Sequence, residues 1–186
     1  MAEQKTIKLV NGVDTEVLQN LIGSMQDDPS LGRCNLRIHN KWVKGSHNRS
    51  TVSDFYGAGR NIPHEQTFVL DVDEPPLLAG EDNWASPMEY LLHSLAGCLT
   101  STLVYHAALS GIEIQEIESY LEGDFDIRGF MGVSEDVRKG FENIRVTFKV
   151  KTGEENIDRL RELTRFSGVF DTLINATPVD IKVEKK

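Results

Sequence analysis

Apolar residues at helical spacing predict three helices in this chain. In the first, Asp14 or Thr15 can cap the start. The second is the most apolar stretch of the sequence, and Gly111 is well placed to end it, because glycine readily adopts the left-handed conformation that follows many helices. The third is expected to break near Gly168. The helices are predicted for residues 13–26, 87–110 and 154–174.

Alternation of apolar and polar residues predicts six strands. The first two are separated by the turn-rich sequence KGSHN and therefore predict a hairpin. In the third strand, Phe68, Leu70 and Val72 are expected to face inward. Residues 127–140 show no clear period and predict an extended loop. The strands are predicted for residues 34–43, 49–57, 65–72, 112–126, 141–151 and 178–184.

The order of these elements is typical of an α+β fold in which sheets surround a central helix. Residues 87–110 would form a rod about 36 Å long at roughly 1.5 Å per residue, and they are apolar on nearly every side. A sheet covers only one face of such a helix. We therefore expect a second subunit to cover another face, in a homodimer.

Composition and charge narrow the functional classes. Hydrophobic residues make up 39% of the sequence and charged residues 26%, as in a folded globular domain. The net charge of -9 opposes binding to nucleic acid or to an anionic membrane, and no basic patch of useful size offsets it. The N-terminus has no secretion signal, so we expect a cytoplasmic protein in which Cys34 and Cys98 are free thiols.

The start of the central helix carries a capping box. Ser86 takes the N-cap, Pro87 the first helical position, and Glu89 follows the cap by three residues. Glu89 therefore has a structural role. Because a cap and a functional site can coincide at a helix start, a catalytic role for Glu89 remains open.

Cys98 lies about three turns into the same helix, where Ser94, Leu95 and Thr102 are its neighbours on one face. A thiol among apolar side chains is usually a packing residue with a raised pKa. To act as a nucleophile, it would need a cation or a hydrogen-bond donor from elsewhere in the fold. Spacing alone leaves both interpretations open.

The segment SPMEYLLHSLAGCLTSTL, residues 86–103, resembles the helix that carries the peroxidatic cysteine in the osmotically inducible protein C and organic hydroperoxide resistance (OsmC/Ohr) family. The resemblance continues through FENIRVTFKV and FDTLINATPVDIKVE and covers residues 35–186. It implies an OsmC-like domain over residues 34–186, preceded by an N-terminal helical extension over residues 1–33.

The resemblance also implies an intertwined homodimer, with strongly curved antiparallel sheets around long central helices. It implies that the Cys98 thiolate attacks the O–O bond of an organic hydroperoxide, becomes a sulfenic acid and returns to the thiol through a disulfide. Such a cysteine requires an arginine beside the thiolate and a carboxylate that orients the arginine. Arg49 is the closest match to that arginine, with Arg60 and Arg128 as alternatives, and Glu89 is the candidate carboxylate.

The sequence departs from the family pattern at two positions. Ser167 stands where the family has its resolving cysteine, so no second thiol is expected there. Met88 stands where the family has its carboxylate, and Glu89 follows one residue later, about 100° around the helix.

The leading hypothesis is a thiol-dependent peroxidase of the oxidative-stress response. It would reduce organic hydroperoxides through Cys98 and be recycled by an external thiol or dithiol. The alternatives are a non-catalytic protein that binds an apolar small molecule at a dimer-interface pocket, and a purely structural or regulatory dimer. We expect no metal and no cofactor, because the histidines and cysteines lack metal-ligand spacing.

Overall fold

The computed structural model describes residues 9–186. The chain divides into two compact units, and the central helix crosses from one to the other. The first unit comprises Leu9 and Asp14–Leu91, and the second comprises Val10–Val13 and Leu92–Lys186. The first eight residues of the predicted N-terminal extension lie outside the described part of the chain.

Two short strands, one helix and a four-stranded sheet precede the central helix. These elements are β1 (Leu9–Val10), β2 (Val13–Asp14), α1 (Thr15–Asp27), β3 (Asn35–Leu36), β4 (His39–Lys44), β5 (His47–Gly57) and β6 (Arg60–Val72). Strand β5 is the centre of the sheet and pairs antiparallel with β3, β4 and β6. The predicted N-terminal helix is confirmed, and Asp14 caps it by accepting hydrogen bonds from the amides of Glu16 and Val17 at 3.0 and 3.1 Å.

Two tight turns connect the long strands of this sheet, and bulges near Trp42 and between Val52 and Asp54 shift the register away from the turns. The predicted first hairpin is confirmed by β4 and β5, with Gly45 at a φ of 52° in the turn. Between β5 and β6, Ala58 and Gly59 both have positive φ, at 47° and 76°, as a two-residue hairpin turn requires. Because this turn sends the chain straight back along β5, strand β6 begins at Arg60, before the predicted residue 65.

The first unit buries polar side chains and leaves many of its large apolar ones exposed. His47, Ser50 and Asp73 are buried, whereas Phe68 and Leu70 on β6 are 43% and 38% exposed. The prediction that Phe68 and Leu70 face inward is therefore wrong within a single chain. Apolar and polar residues alternate along β6 as in a half-buried strand, but packing within the first unit does not bury the apolar face.

The second unit contains most of the central helix and a two-stranded antiparallel sheet. Its elements, with the whole of the central helix, are α2 (Pro87–Leu109), β7 (Glu116–Asp124), α3 (Ile127–Phe130), β8 (Asn143–Lys151), α4 (Ile157–Leu163) and α5 (Gly168–Ile174). Strands β7 and β8 pair along their whole length. The core joins Leu103 and Ala107 of α2 to Leu160 and Leu163 of α4, with Phe148 of β8 packed against them.

Helix α2 ends as predicted. Gly111 has a φ of 71°, and the amide of Ile112 closes the end by donating to the carbonyl of Ala107 at 2.9 Å. The predicted break in the last helical region is also confirmed, because a short 3₁₀ turn over Thr164–Phe166 and the residue Ser167 separate α4 from α5.

Two predictions for the second unit require correction. Residues 127–140 are not wholly extended, because α3 forms one helical turn in which Asp126 accepts a hydrogen bond from the amide of Arg128 at 2.9 Å. Residues 178–184 form no strand. A strand requires a neighbouring strand for its backbone hydrogen bonds, and none of the described strands pairs with this segment.

The described residues therefore form a mixed α and β fold with antiparallel sheets. Among these residues, no helix combines the length and the apolar character that a membrane crossing requires.

Candidate functional site

Cys98 lies on α2 in the second unit and is partly buried. The hydroxyls of Ser167 and Thr102 and the backbone amides of Gly168 and Val169 lie near its sulfur as potential hydrogen-bond donors. Burial raises the pKa of the thiol, but these four donors together lower it by more. The pKa of Cys98 is therefore below the ordinary value of a cysteine.

Ser167 reaches this position because it caps α5. Its Oγ accepts a hydrogen bond from the amide of Phe170 at 3.3 Å, and the residue is 0% exposed. Since the oxygen accepts from Phe170, the hydroxyl hydrogen remains available for the sulfur of Cys98. Ser167 is thus a potential hydrogen-bond donor to the thiol.

Thr102 follows Cys98 by one helical turn, so the spacing along α2 already marked it as a neighbour. The amides of Gly168 and Val169 carry no such signal, because backbone donors can be located only from the tertiary fold. Together these groups stabilise the thiolate, which is the nucleophilic form of cysteine. Cys98 therefore has hydrogen-bond donors nearby, which a purely apolar environment would not provide.

Arg49 lies on β5 in the first unit, and Asp71 of β6 is its carboxylate partner. The guanidinium donates from Nε and Nη2 to the two carboxylate oxygens at 2.9 and 3.1 Å. His47 Nε2 lies 2.7 Å from the same carboxylate, and its ring stacks on Trp84 with the ring centroids 4.2 Å apart. The hydrogen bonds from Arg49 and His47 hold the pKa of Asp71 below its usual range.

The sequence named Arg49 but missed Asp71 and His47. Arg49 and Asp71 are directly opposite in the register of β5 and β6, and His47 lies two residues from Arg49, so it is on the same face of β5. The register set by the hairpin turn at Ala58 and Gly59 would place Arg49 opposite Phe68. It is the bulge between Val52 and Asp54 that brings Asp71 opposite Arg49, so no signal in the sequence indicated this cluster.

Glu89 is held by the cap of α2. Its carboxylate accepts hydrogen bonds from the amide and the hydroxyl of Ser86 at 2.7 and 2.8 Å, and its own amide donates to Ser86 Oγ at 3.3 Å. The predicted capping box is confirmed. The two hydrogen bonds that Ser86 donates lower the pKa of Glu89, and the bond from the backbone amide has the larger effect.

A buried carboxylate organises the loop that leads from β6 to this cap. Asp73 is 1% exposed and accepts hydrogen bonds from the hydroxyl of Ser46 at 2.6 Å and from the amides of Glu74, Glu81 and Asn83. These hydrogen bonds lower the pKa of Asp73 to about 2, and the bond from Ser46 has the largest effect. Within the first unit, the loop is therefore anchored to the sheet by one charged side chain.

The two alternative arginines occupy different positions. Arg60 is exposed at the start of β6, and Arg128 in the second unit forms an ion pair with Asp126 at 2.5 Å. Cys34 is exposed in the first unit. Among residues 9–186, no group of His, Cys, Asp and Glu side chains is arranged to hold a metal ion.

An apolar cavity of about 360 Å³ lies in the second unit, between α2, β8, α4 and the start of α5. Leu99, which follows Cys98, lines it, and so does Phe170, whose amide bonds Ser167. Arg161 and Thr164 contribute polar atoms to its lining.

The chain matches the family model of the OsmC-like proteins over residues 80–182, more than half of its length. Its fold is similar to that of an OsmC-like protein from Mycoplasma pneumoniae, with a TM-score of 0.56 at 17% identity over 76% of this chain and 89% of that one. It is also similar to an OsmC-like protein of unknown function from Vibrio cholerae, with a TM-score of 0.52 at 8% identity over 74% and 92% of the two chains.

An organic hydroperoxide resistance protein OsmC from Legionella pneumophila has a lower TM-score of 0.46, at 15% identity over 74% of this chain and 88% of that one. None of the curated proteins compared with this sequence matches it significantly. The family match and the two stronger structural similarities agree with the resemblance carried by the cysteine helix. The chain belongs to the OsmC-like protein family.

Proposed function

We propose that this protein is a thiol-dependent peroxidase that reduces organic hydroperoxides through Cys98. The observation that carries the proposal is the group of four N–H and O–H donors near the Cys98 sulfur, which lowers the pKa of the thiol although the residue is partly buried. Membership of the OsmC-like family supports it. A cysteine that served only to pack the helix would not need these donors.

In the proposed reaction, the Cys98 thiolate attacks the terminal oxygen of the hydroperoxide and the O–O bond breaks. The sulfur is oxidised to sulfenic acid, and the alkoxide leaves and takes a proton to become the alcohol. A first external thiol condenses with the sulfenic acid to give a mixed disulfide and water. A second thiolate attacks that disulfide, which returns Cys98 to the reduced state and releases the oxidised reductant.

Ser167 determines the second half of this cycle. It lies against Cys98, at the position of the family's resolving cysteine, and cannot form a disulfide. The reductant must therefore reach the sulfenic acid from outside, as a small thiol or a dithiol carrier. The proposed location is the cytoplasm, where such thiols are kept reduced.

Arg49 is the proposed cation of the reaction. Its two hydrogen bonds to Asp71 fix the orientation of the guanidinium, while its side chain is still 51% exposed. For Glu89, the other proposed site residue, the hydrogen bonds to Ser86 support a role in holding the start of the cysteine helix.

We also propose that the protein is a homodimer in which curved sheets of both copies surround the central helices. Support comes from the apolar residues of β6 that the first unit leaves exposed, and from Val179, Ile181 and Val183, which are 77% to 91% exposed near the C-terminus. A second copy would cover these residues. Light scattering should give twice the mass of one chain, and a cooperatively melting monomer would contradict the proposal.

The test of the peroxidase proposal is the reduction of cumene hydroperoxide by purified protein with dithiothreitol as the external thiol. We expect it to be reduced in preference to hydrogen peroxide, because the buried apolar side chains of Leu95 and Leu99 flank Cys98 on its helix. Cys98→Ser should abolish the activity, and Cys34→Ser, the matched control, should not. If Cys98 remains unmodified by excess hydroperoxide in the folded protein, the proposal is wrong.

A further inference from the structure

The apolar cavity of the second unit has the size and the lining of a ligand site. Its volume of about 360 Å³ falls within the range of roughly 300 to 1,000 Å³ that is typical of small-molecule sites. Apolar side chains of α2, β8, α4 and α5 form most of its wall. Apolar walls gain dispersion contacts with an apolar group and offer few hydrogen bonds to water, so a hydrocarbon group is the chemistry that fits this lining best.

The lining also contains one positive charge. Arg161 is the only charged residue that lines this cavity among the described residues. Its Nη1 lies 2.7 Å from Asp158 Oδ1, but both side chains are largely exposed, so this ion pair contributes little stability and leaves the guanidinium available to another anion. The hydroxyl of Thr164 already donates to the carbonyl of Arg161 at 2.8 Å. The guanidinium is therefore the donor that remains for a ligand.

We propose that this cavity binds a linear carboxylate of medium chain length. The hydrocarbon chain lies against Leu99, Val146 and Phe170, and the carboxylate pairs with Arg161. A group the size of a water molecule occupies roughly 30 Å³, so the cavity holds about ten to twelve such groups. This number sets the length of the ligand's hydrocarbon chain. The site is separate from the chemistry of Cys98, so it exists whether or not Cys98 reduces peroxides.

The test measures the binding of hexanoate, octanoate and decanoate to the full-length protein by isothermal titration calorimetry. Affinity should increase about fourfold for each added methylene until the cavity is full, because each buried methylene contributes a similar free energy. Decanol, which has no charge, and decyltrimethylammonium, which has the opposite charge, should bind more weakly than decanoate. Equal affinities for hexanoate and decanoate would overturn the proposal.

Two substitutions locate the ligand. Val146→Phe fills the cavity from β8 and should reduce decanoate binding at least tenfold. Thr147→Phe is the matched control, because threonine has the shape of valine and Thr147 lies on the opposite, exposed face of the same strand. If decanoate binds Val146→Phe as tightly as it binds the wild-type protein, the ligand lies elsewhere and the proposal is wrong.

The head-group contact is tested by Arg161→Gln, with Arg159→Gln as the control on the same helix. Arg159 pairs with Glu162 and does not line the cavity. Arg161→Gln should weaken decanoate about fivefold at low salt and leave decanol unchanged, since an exposed charge pair contributes only a modest free energy. An equal loss in both arginine variants would contradict a specific contact, and so would an equal loss for decanoate and decanol. Circular dichroism spectra identical to that of the wild type ensure that folded proteins are compared.

Discussion

The hydroxyl of Ser167 lies near the sulfur of Cys98 and lowers the pKa of the thiol, although Cys98 is on α2 and Ser167 is the N-cap of α5. Ser167 is held there by its role as the cap of α5 and by complete burial. Ser167 therefore favours the thiolate form of Cys98.

Removing this donor should make Cys98 less reactive. Ser167→Ala deletes the hydroxyl that does most to offset the effect of burial, so the pKa of Cys98 should rise. At neutral pH, less thiolate is then present and alkylation by iodoacetamide should slow. The pH profile of alkylation on a Cys34→Ser background measures the change. An unchanged profile would show that the backbone amides of Gly168 and Val169 are sufficient.

Introducing a thiol at position 167 should change the fate of the oxidised protein. The wild-type protein should accumulate sulfenic acid at Cys98, which dimedone traps, because Cys98 is the only cysteine among the described residues of the second unit. Ser167→Cys should instead form a disulfide with Cys98 and lose the dimedone adduct. Mass spectrometry of peptides distinguishes the two products. Dimedone labelling of Ser167→Cys at the wild-type level would contradict the expected contact.

Asp71 should matter for activity through Arg49. Asp71→Asn removes the charge that orients the guanidinium, so it should slow cumene hydroperoxide reduction about as much as Arg49→Ala, and the double variant should be no slower. Asp54→Asn is the control, because Asp54 pairs with Arg37 on the same sheet. Additive losses for Asp71→Asn and Arg49→Ala would mean that the two residues act separately.

Ser86 should contribute to stability as the cap of α2. Ser86→Ala removes the hydroxyl that accepts from the amide of Glu89, and it should lower the free energy of unfolding by about 1 kcal/mol. Urea denaturation measures this loss. Ser94→Ala, in the middle of the same helix, should cost much less.

Glu89→Gln separates the structural and catalytic roles of Glu89. Glutamine can also form a capping box, so stability should be largely kept. A large loss of peroxidase activity in this folded variant would assign Glu89 a catalytic role. Unchanged activity would leave it as a cap alone.

Sequence patterns by themselves determined the elements whose signals are local. The cap of α1 at Asp14, the capping box at Ser86 and Glu89, and the end of α2 at Gly111 depend on residues within a few positions of one another. Such interactions can be predicted from the spacing of residues in the sequence, because nearby side chains form the hydrogen bonds that the backbone groups at a helix end require. The family resemblance identified Cys98 in the same way, from one continuous segment.

The tertiary structure decided what depends on residues far apart in the chain. The donors around Cys98 come from the start of α5, and the partner of Arg49 comes from the neighbouring strand, so neither could be placed without the fold. For the same reason the alternation in residues 178–184 predicted a strand that does not form. Alternating side chains show which face could be buried, but a strand exists only where another strand accepts its backbone hydrogen bonds.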